Sequence, residues 1–143
     1  MKEHKINLQY DFVQGYYMND LSICDYLINL HKTTKTVDGF SGNQVNKKKK
    51  DSTDLVLRPQ ETKFYQELNQ YFEEQENALN IYKKKYQYSN TNISEWKIND
   101  NFNVQKYKPS QGYHAWHCER TCLENSNRHL VWMTFLNDIK QGG

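Results

Sequence analysis

Residues 107–119 read Tyr-Lys-Pro-Ser-Gln-Gly-Tyr-His-Ala-Trp-His-Cys-Glu, and this stretch decides how the whole sequence is interpreted. We expect its second half to be a β-strand. Side chains alternate between the two faces of extended backbone, so His117 and Glu119 point the same way, roughly 7 Å apart. An imidazole and a carboxylate at that separation can converge on one metal ion. A second histidine would complete the 2-His-1-carboxylate triad that holds non-haem Fe(II).

The composition predicts one domain with a core of moderate size. The chain has 143 residues, of which 36% are hydrophobic, and its mean hydropathy of −1.03 is low for a compact protein. Aromatic residues reach 14% and include 11 tyrosines, so rings with a polar group should supply much of the buried surface. The 19 basic and 17 acidic residues give a net charge of +2, which does not favour a nucleic-acid binder.

The sequence predicts a cytoplasmic protein. No apolar run approaches the roughly 20 residues of a membrane span, and the first residues, Met-Lys-Glu-His-Lys, do not lead into the apolar segment of a secretory signal. The three cysteines are an odd number without the spacing of a disulfide framework, which favours a reducing compartment.

Hydrophobic periodicity predicts helices early in the chain and strands late. Asn19 or Asp20 can cap a helix that runs to about His31, and a long amphipathic helix should follow Pro59 over residues 61–86. Residues 33–50 are typical of a loop or an irregular hairpin. Strands are expected at residues 6–13, 53–57, 96–98, 102–107, 113–119 and 128–136. This order favours an α+β fold over alternating βαβ units.

The last of these strands is apolar on both faces. Such a pattern is typical of a central strand that is covered on both sides. If nothing covers it, we expect an exposed apolar face at residues 131–135, which would invite pairing with another chain.

Residues 102–143 resemble the first half of the catalytic core of 2-oxoglutarate/Fe(II)-dependent dioxygenases of the prolyl 4-hydroxylase type. That family's pattern is similar to Tyr-x-Pro-Gly-x-Gly-Tyr-x-x-x-His-x-Asp/Glu, which residues 107–119 follow at every defined position except Ser110. Phe-Leu-Asn-Asp at 135–138 and Gly-Gly at 142–143 continue the resemblance. It implies a helix-rich support region at residues 1–100 and, at residues 101–143, the first strands of a double-stranded β-helix (jelly-roll) core that is incomplete at its C-terminus.

The resemblance also implies roles for individual residues. His117 and Glu119 would be the first two iron ligands, with Glu119 in place of the more frequent aspartate. Tyr107 would line the 2-oxoglutarate pocket, as would Phe135, which stands where the family often has a tyrosine. Ser110 stands where glycine is usual. The second metal histidine and the basic residue that binds 2-oxoglutarate would lie beyond residue 143, so we expect the chain to be a fragment of a longer dioxygenase.

A member of this family couples the oxidative decarboxylation of 2-oxoglutarate to hydroxylation of a substrate. The implied cofactors and co-substrates are Fe(II), 2-oxoglutarate and O₂, with ascorbate as a reductant of over-oxidised iron. The protein orients and shields these groups. The implied substrate is a peptide, an amino acid or a small metabolite, with neither nucleic acid nor membrane as a partner.

Other interpretations of the same residues remain open. An isolated His-x-Glu pair is more often a solvated strand face than a metal site. His129 is a possible third ligand within the chain, although a core histidine is the commoner case. Cys118 and Cys122 with His117 could suggest zinc, but the paired close spacings of structural zinc sites are missing.

Two further hypotheses concern partners and not chemistry. Lys47 to Lys50 could face phosphates of a single-stranded nucleic acid, whereas a solvated basic loop is the commoner case. The chain could also be a non-catalytic interaction fragment that keeps the strand scaffold and lacks a complete metal site.

Overall fold

The structure is a computed structural model that describes residues 1–8, 12–58, 68–90, 96 and 101–140. The chain divides into two compact units, residues 1–23 with 60–98 and residues 24–59 with 99–143. Both helix and antiparallel sheet are present, which confirms the α+β class. Among the described residues, neither helix has the length and apolar character needed to cross a membrane.

Among the described residues, the regular elements are short except for two α-helices. Helix α1 covers Ser22–Thr33 and helix α2 covers Asn69–Lys85, and 3-10 helices lie at Gln87–Asn90 and Leu123–Asn125. The strands are β1 (Lys2–His4), β2 (Gly15–Tyr17), β3 (Val37–Asp38), β4 (Phe40–Ser41), β5 (Gln44–Val45), β6 (Thr53–Leu57) and β7 (Phe102–Lys106).

In the first unit, a buried carboxylate of α2 organises the residues that precede α1. Glu74 accepts hydrogen bonds from the backbone N–H of Asn19 at 2.8 and 2.9 Å and from that of Asp20 at 3.1 Å. Asp20 in turn accepts from the backbone N–H of Ser22 at 2.8 Å and from the Gln70 amide at 2.9 Å. The predicted helix start is confirmed, because Asp20 satisfies a backbone donor in the first turn that the helix itself cannot.

The second unit is built on a three-stranded antiparallel sheet of order β3-β6-β7. Thr53, Leu55 and Leu57 share one face of the central strand β6, and both leucines are buried. Leu55 lies opposite Val104 of β7, which is buried as well. From α1, the His31 Nε2 donates a hydrogen bond of 2.9 Å to the backbone carbonyl of Thr53. The apolar face of the sheet therefore carries the core of this unit.

The strands predicted at 53–57 and 102–107 are confirmed, as is an irregular hairpin within residues 33–50, which β4 and β5 form. Much of the predicted helix at 61–86 is present as α2, and its first residues lie outside the described ones. In the strand expected at 96–98, only Trp96 is described, and it lies in no strand.

Three predicted strands are wrong as far as the described residues go. Residues 6–8 and 12–13 lie outside any strand; the described residues on either side of them pair as β1 and β2. Residues 113–119 contribute a single bridge, from Tyr113 to Lys50. Residues 128–136 are irregular, and the side chains at 131–133 and 135 are exposed. A strand requires a partner's backbone hydrogen bonds as well as an apolar pattern, and at these positions the pattern alone was misleading.

Truncation of the fully buried Leu57 should identify the core of the second unit. Its side chain is 0% exposed, so we expect Leu57→Ala to lower the free energy of unfolding by about 2–5 kcal/mol through lost burial and a residual cavity. The neighbouring Val56 is exposed, and Val56→Ala should cost under about 1 kcal/mol. Urea denaturation followed by circular dichroism measures both, and equal losses would contradict this placement of the core.

Acid should weaken the cap of α1. The backbone hydrogen bond from Ser22, supported by the Ser22 and Gln70 side chains, holds the pKa of Asp20 below its usual range. A carboxyl group whose pKa is lower in the folded state stabilises the fold above its unfolded pKa of about 4, and this stabilisation disappears as the pH falls through the folded pKa. We expect wild type to be more stable than Asp20→Asn at pH 6 and to lose that advantage towards pH 2. A difference in thermal midpoint that does not change with pH would contradict this role.

Candidate metal-binding site

The two predicted metal ligands lie side by side in the second unit. The Nε2 of His117 is 3.5 Å from the Oε1 of Glu119. Their side chains are 45% and 39% exposed, so both groups remain accessible from solvent. The backbone between them is irregular and is not part of a strand. The residues are brought together as the sequence predicts, although not by the alternation of a β-strand.

The imidazole of His117 is fixed by its own segment. Its Nδ1 lies 3.1 Å from the backbone carbonyl oxygen of Ala115. A carbonyl oxygen can only accept, so Nδ1 is the donor in this bond, and the neutral ring then carries its lone pair on Nε2. The ring of Tyr113 stacks on the imidazole with a centroid distance of 4.0 Å and an angle of 16° between the planes. The nitrogen that faces Glu119 is therefore the one available to a metal ion.

The carboxylate of Glu119 is held from its other side by an arginine. The Nη1 of Arg128 donates to Glu119 Oε2 at 3.2 Å and to the backbone carbonyl of Glu119 at 3.3 Å. This arrangement leaves Oε1 directed at His117. His117 Nε2 and Glu119 Oε1 therefore point at a shared position. The other polar atom of each side chain is hydrogen-bonded elsewhere, Nδ1 to the Ala115 carbonyl and Oε2 to Arg128.

The distance between the two donor atoms fits a shared metal ion. Two adjacent ligands of an octahedral ion, each at about 2.1 Å from the metal, are about 3.0 Å apart. The 3.5 Å between Nε2 and Oε1 requires only a small adjustment. No cluster of three His, Cys, Asp or Glu side chains suited to a metal occurs among the described residues, so neither His129 nor the pair Cys118 and Cys122 completes the site there.

The turn before the candidate ligands adopts the backbone expected of a glycine. Ser110 has φ of +68°, in the left-handed region that L-residues rarely occupy. The backbone N–H of Gln111 donates to the carbonyl of Lys108 at 2.9 Å and closes the turn. Ser110 stands where the resemblance leads us to expect glycine, and glycine would adopt this conformation without steric cost.

The two residues that the resemblance assigns to 2-oxoglutarate differ in their surroundings. Tyr107 follows β7 and donates to Gln105 Oε1 at 2.8 Å. Partial burial raises the pKa of its phenol, the Asp54 carboxylate raises it further, and a hydrogen bond with Ser52 acts in the opposite direction. Tyr107 is thus a neutral hydrogen-bonding group at physiological pH. Phe135 lies in the irregular segment and is 74% exposed.

Sequence reasoning missed a buried ionic cluster on the polar face of the sheet. Lys50 is 4% exposed and Asp54 is 3% exposed. The Lys50 Nζ lies 2.6 Å from Asp54 Oδ2, and the Ser52 hydroxyl donates to Asp54 Oδ1 at 2.7 Å. Gly39 passes so close that an added Cβ would overlap the Ser52 hydroxyl. The interpretation of Lys47 to Lys50 as a solvated loop is therefore wrong for Lys50, because its charge is neutralised inside the protein.

The backbone around Lys50 pairs with the segment that carries the candidate ligands. The N–H of His114 donates to the carbonyl of Lys49 at 2.7 Å, and the N–H of Asp51 donates to the carbonyl of Gly112 at 2.9 Å. Lys50 and Tyr113 face each other in this short antiparallel bridge. A simple signal of the cluster was present in the sequence, since Lys50, Ser52 and Asp54 alternate and must share one face of extended chain.

An open cleft of about 350 Å³ borders the same cluster. Its volume is at the lower end of the range for small-molecule sites. The lining combines apolar side chains with amide and charged groups, namely Val37, Phe40, Lys50, Asp54, Val56, Asn101, Asn103 and Arg128. Arg128 lines this cleft and also binds the Glu119 carboxylate, whereas neither candidate ligand is among the lining residues.

Comparisons with known proteins give no match. The chain matches no protein-family model, no curated protein and no solved structure.

The buried ion pair should show strong energetic coupling. Lys50→Met leaves the Asp54 carboxylate buried without its cation, and we expect it to reduce the free energy of unfolding by about 3–5 kcal/mol. In the double variant Lys50→Met/Asp54→Asn, both charges are absent and Ser52 keeps an acceptor. The double variant should therefore cost at least about 1 kcal/mol less than the sum of the two single variants. Chemical denaturation of the four proteins measures this coupling, and additive losses would show that the two charges are not energetically coupled.

Proposed function

We propose that the chain carries the first part of the metal site of a 2-oxoglutarate/Fe(II)-dependent dioxygenase with a jelly-roll core, in which His117 and Glu119 are iron ligands. The observation that carries this proposal is the convergence of His117 Nε2 and Glu119 Oε1 at 3.5 Å on the accessible surface of the second unit. Iron and 2-oxoglutarate would supply the oxidative chemistry, namely decarboxylation to succinate coupled to hydroxylation of a substrate.

Three features of this chain support the assignment of the two ligands. The Ala115 carbonyl selects the imidazole nitrogen that carries the proton and orients the ring, as outer partners of metal-binding histidines commonly do. Arg128 binds the Glu119 oxygen that is directed away from His117. An imidazole nitrogen and a carboxylate oxygen are also two of the three donors that Fe(II) oxygenases use.

For the co-substrate, Tyr107 is a neutral phenol in the same unit, and its hydroxyl, which donates to Gln105 in this structure, would have to turn to a carboxylate of 2-oxoglutarate. The cleft beside Arg128 has room for a small polar molecule. The proposed substrate is a peptide, an amino acid or a small metabolite.

Metal titration tests the proposal directly. Under anaerobic conditions we expect Fe(II), or Co(II) as its spectroscopic substitute, to bind the chain at one site. His117→Ala and Glu119→Ala should each weaken that binding by at least about tenfold. His114 is also exposed and lies in the same segment, so His114→Ala is the matched control and should leave the affinity unchanged. Binding that is indifferent to His117→Ala would overturn the ligand assignment.

A non-catalytic interaction role is the alternative, and two observations favour it. The described residues do not gather a third metal ligand, and residues 130–135 expose large apolar side chains. This alternative predicts no metal binding and no succinate release from 2-oxoglutarate. It also predicts concentration-dependent self-association that Val131→Ser and Met133→Ser reduce, which analytical ultracentrifugation would measure.

A further inference from the structure

We propose that the buried Lys50–Asp54 pair positions the His117 imidazole for metal binding, so that Lys50 acts as a positioning residue through Tyr113. This inference rests on the proposed function for its link to metal affinity. Its structural part concerns the orientation of His117 in the metal-free protein and stands separately.

The first step is the anchoring of Lys50. An ammonium group removed from water requires a close partner of opposite charge, and Asp54 is that partner at 2.6 Å. Asp54 itself is fixed, because it lies in the central strand β6 and accepts a second hydrogen bond from Ser52. The side chain of Lys50 is therefore held at a single place relative to the sheet.

The second step is the backbone connection between Lys50 and Tyr113. Hydrogen bonds of 2.7 and 2.9 Å join residues 49 and 51 to residues 114 and 112 on either side of the bridge between Lys50 and Tyr113. The Tyr113 hydroxyl also lies 3.2 Å from the Ser41 hydroxyl of β4. Tyr113 is thus fixed by its backbone at one end and by its hydroxyl at the other.

The third step is the ring stack between Tyr113 and His117. With the planes 16° apart and the centroids at 4.0 Å, Tyr113 covers one face of the imidazole. The Ala115 carbonyl fixes the rotation of the ring within its plane. Without the Lys50–Asp54 ion pair, both the bridge between Lys50 and Tyr113 and the ring stack on His117 would become looser. The hydrogen bond to the Ala115 carbonyl would then be the restraint on the position of Nε2.

Nuclear magnetic resonance of the metal-free protein tests the structural part. The stacked Tyr113 ring displaces the His117 ring resonances, which the His117→Ala variant identifies. We expect Tyr113→Leu and Lys50→Met to move these resonances towards the values of an unstacked histidine. Lys48 lies in the same loop with an exposed side chain, so Lys48→Met is the matched control and should leave them in place.

The metal part uses Co(II) alone as the probe. Partners that orient a ligand are worth about 10–100-fold in metal affinity, so we expect Lys50→Met and Tyr113→Leu each to weaken Co(II) binding within that range and Lys48→Met to leave it unchanged. If wild type binds no Co(II), the proposed function fails. The resonance shifts of the metal-free protein still show whether Lys50 and Tyr113 orient the His117 ring.

Two outcomes would overturn the inference. Unchanged His117 resonances in Tyr113→Leu or in folded Lys50→Met would show that the bridge does not orient the ring. Displaced resonances with wild-type Co(II) affinity would show that the orientation is irrelevant to metal binding. Should Lys50→Met fail to fold, the double variant Lys50→Met/Asp54→Asn takes its place, because it removes the same anchor without leaving an unpaired carboxylate buried. Tyr113→Leu tests the ring stack by itself, because it removes a partly exposed ring and leaves the ion pair intact.

Discussion

The ion pair between Lys50 and Asp54 is the interaction on which the second unit's candidate site depends. Both groups are almost completely excluded from solvent, and either charge alone would be very unfavourable there. Such a pair contributes little net stability compared with an apolar one, but it allows few alternative arrangements. Here the arrangement that it selects joins the sheet to the backbone of residues 112–114, directly before the candidate ligands.

Local signals predicted the elements whose stability is local or whose pattern is unambiguous. The α1 cap at Asp20 and the alternation of β6 and β7 are of this kind. The strand predicted at 128–136 is not. Its apolar residues suit a strand covered on both sides, yet an apolar pattern states only what a segment could bury and not which backbone will pair with it. Pairing is a property of the tertiary structure, and in the described residues this segment is irregular and exposed.

The same distinction between a local sequence pattern and tertiary pairing applies to the prediction of the candidate site. The sequence predicted that His117 and Glu119 would meet, because two residues of suitable chemistry are separated by one position. It gave the wrong cause, since hydrogen bonds to Ala115 and Arg128 bring the two groups together in irregular backbone. Lys50 was misinterpreted because a run of four lysines is usually solvated, whereas its burial depends on a partner four residues later. The alternation of Lys50, Ser52 and Asp54 was the stronger signal.

In the site that we propose, His117 and Glu119 are held apart and are already restrained without a metal ion. A charge-assisted hydrogen bond between an imidazole and a carboxylate would be about 2.7–2.9 Å long, and these two groups stand at 3.5 Å. Neighbouring groups restrain both side chains. The Tyr113 ring and the Ala115 carbonyl hold His117, and Arg128 holds Glu119. Because these restraints exist before any cation arrives, binding one would require little further ordering of the side chains, and that saving in entropy favours affinity. Two donor atoms that converge on one point suit a metal ion more than an organic ligand, and an imidazole paired with a carboxylate suits Fe(II).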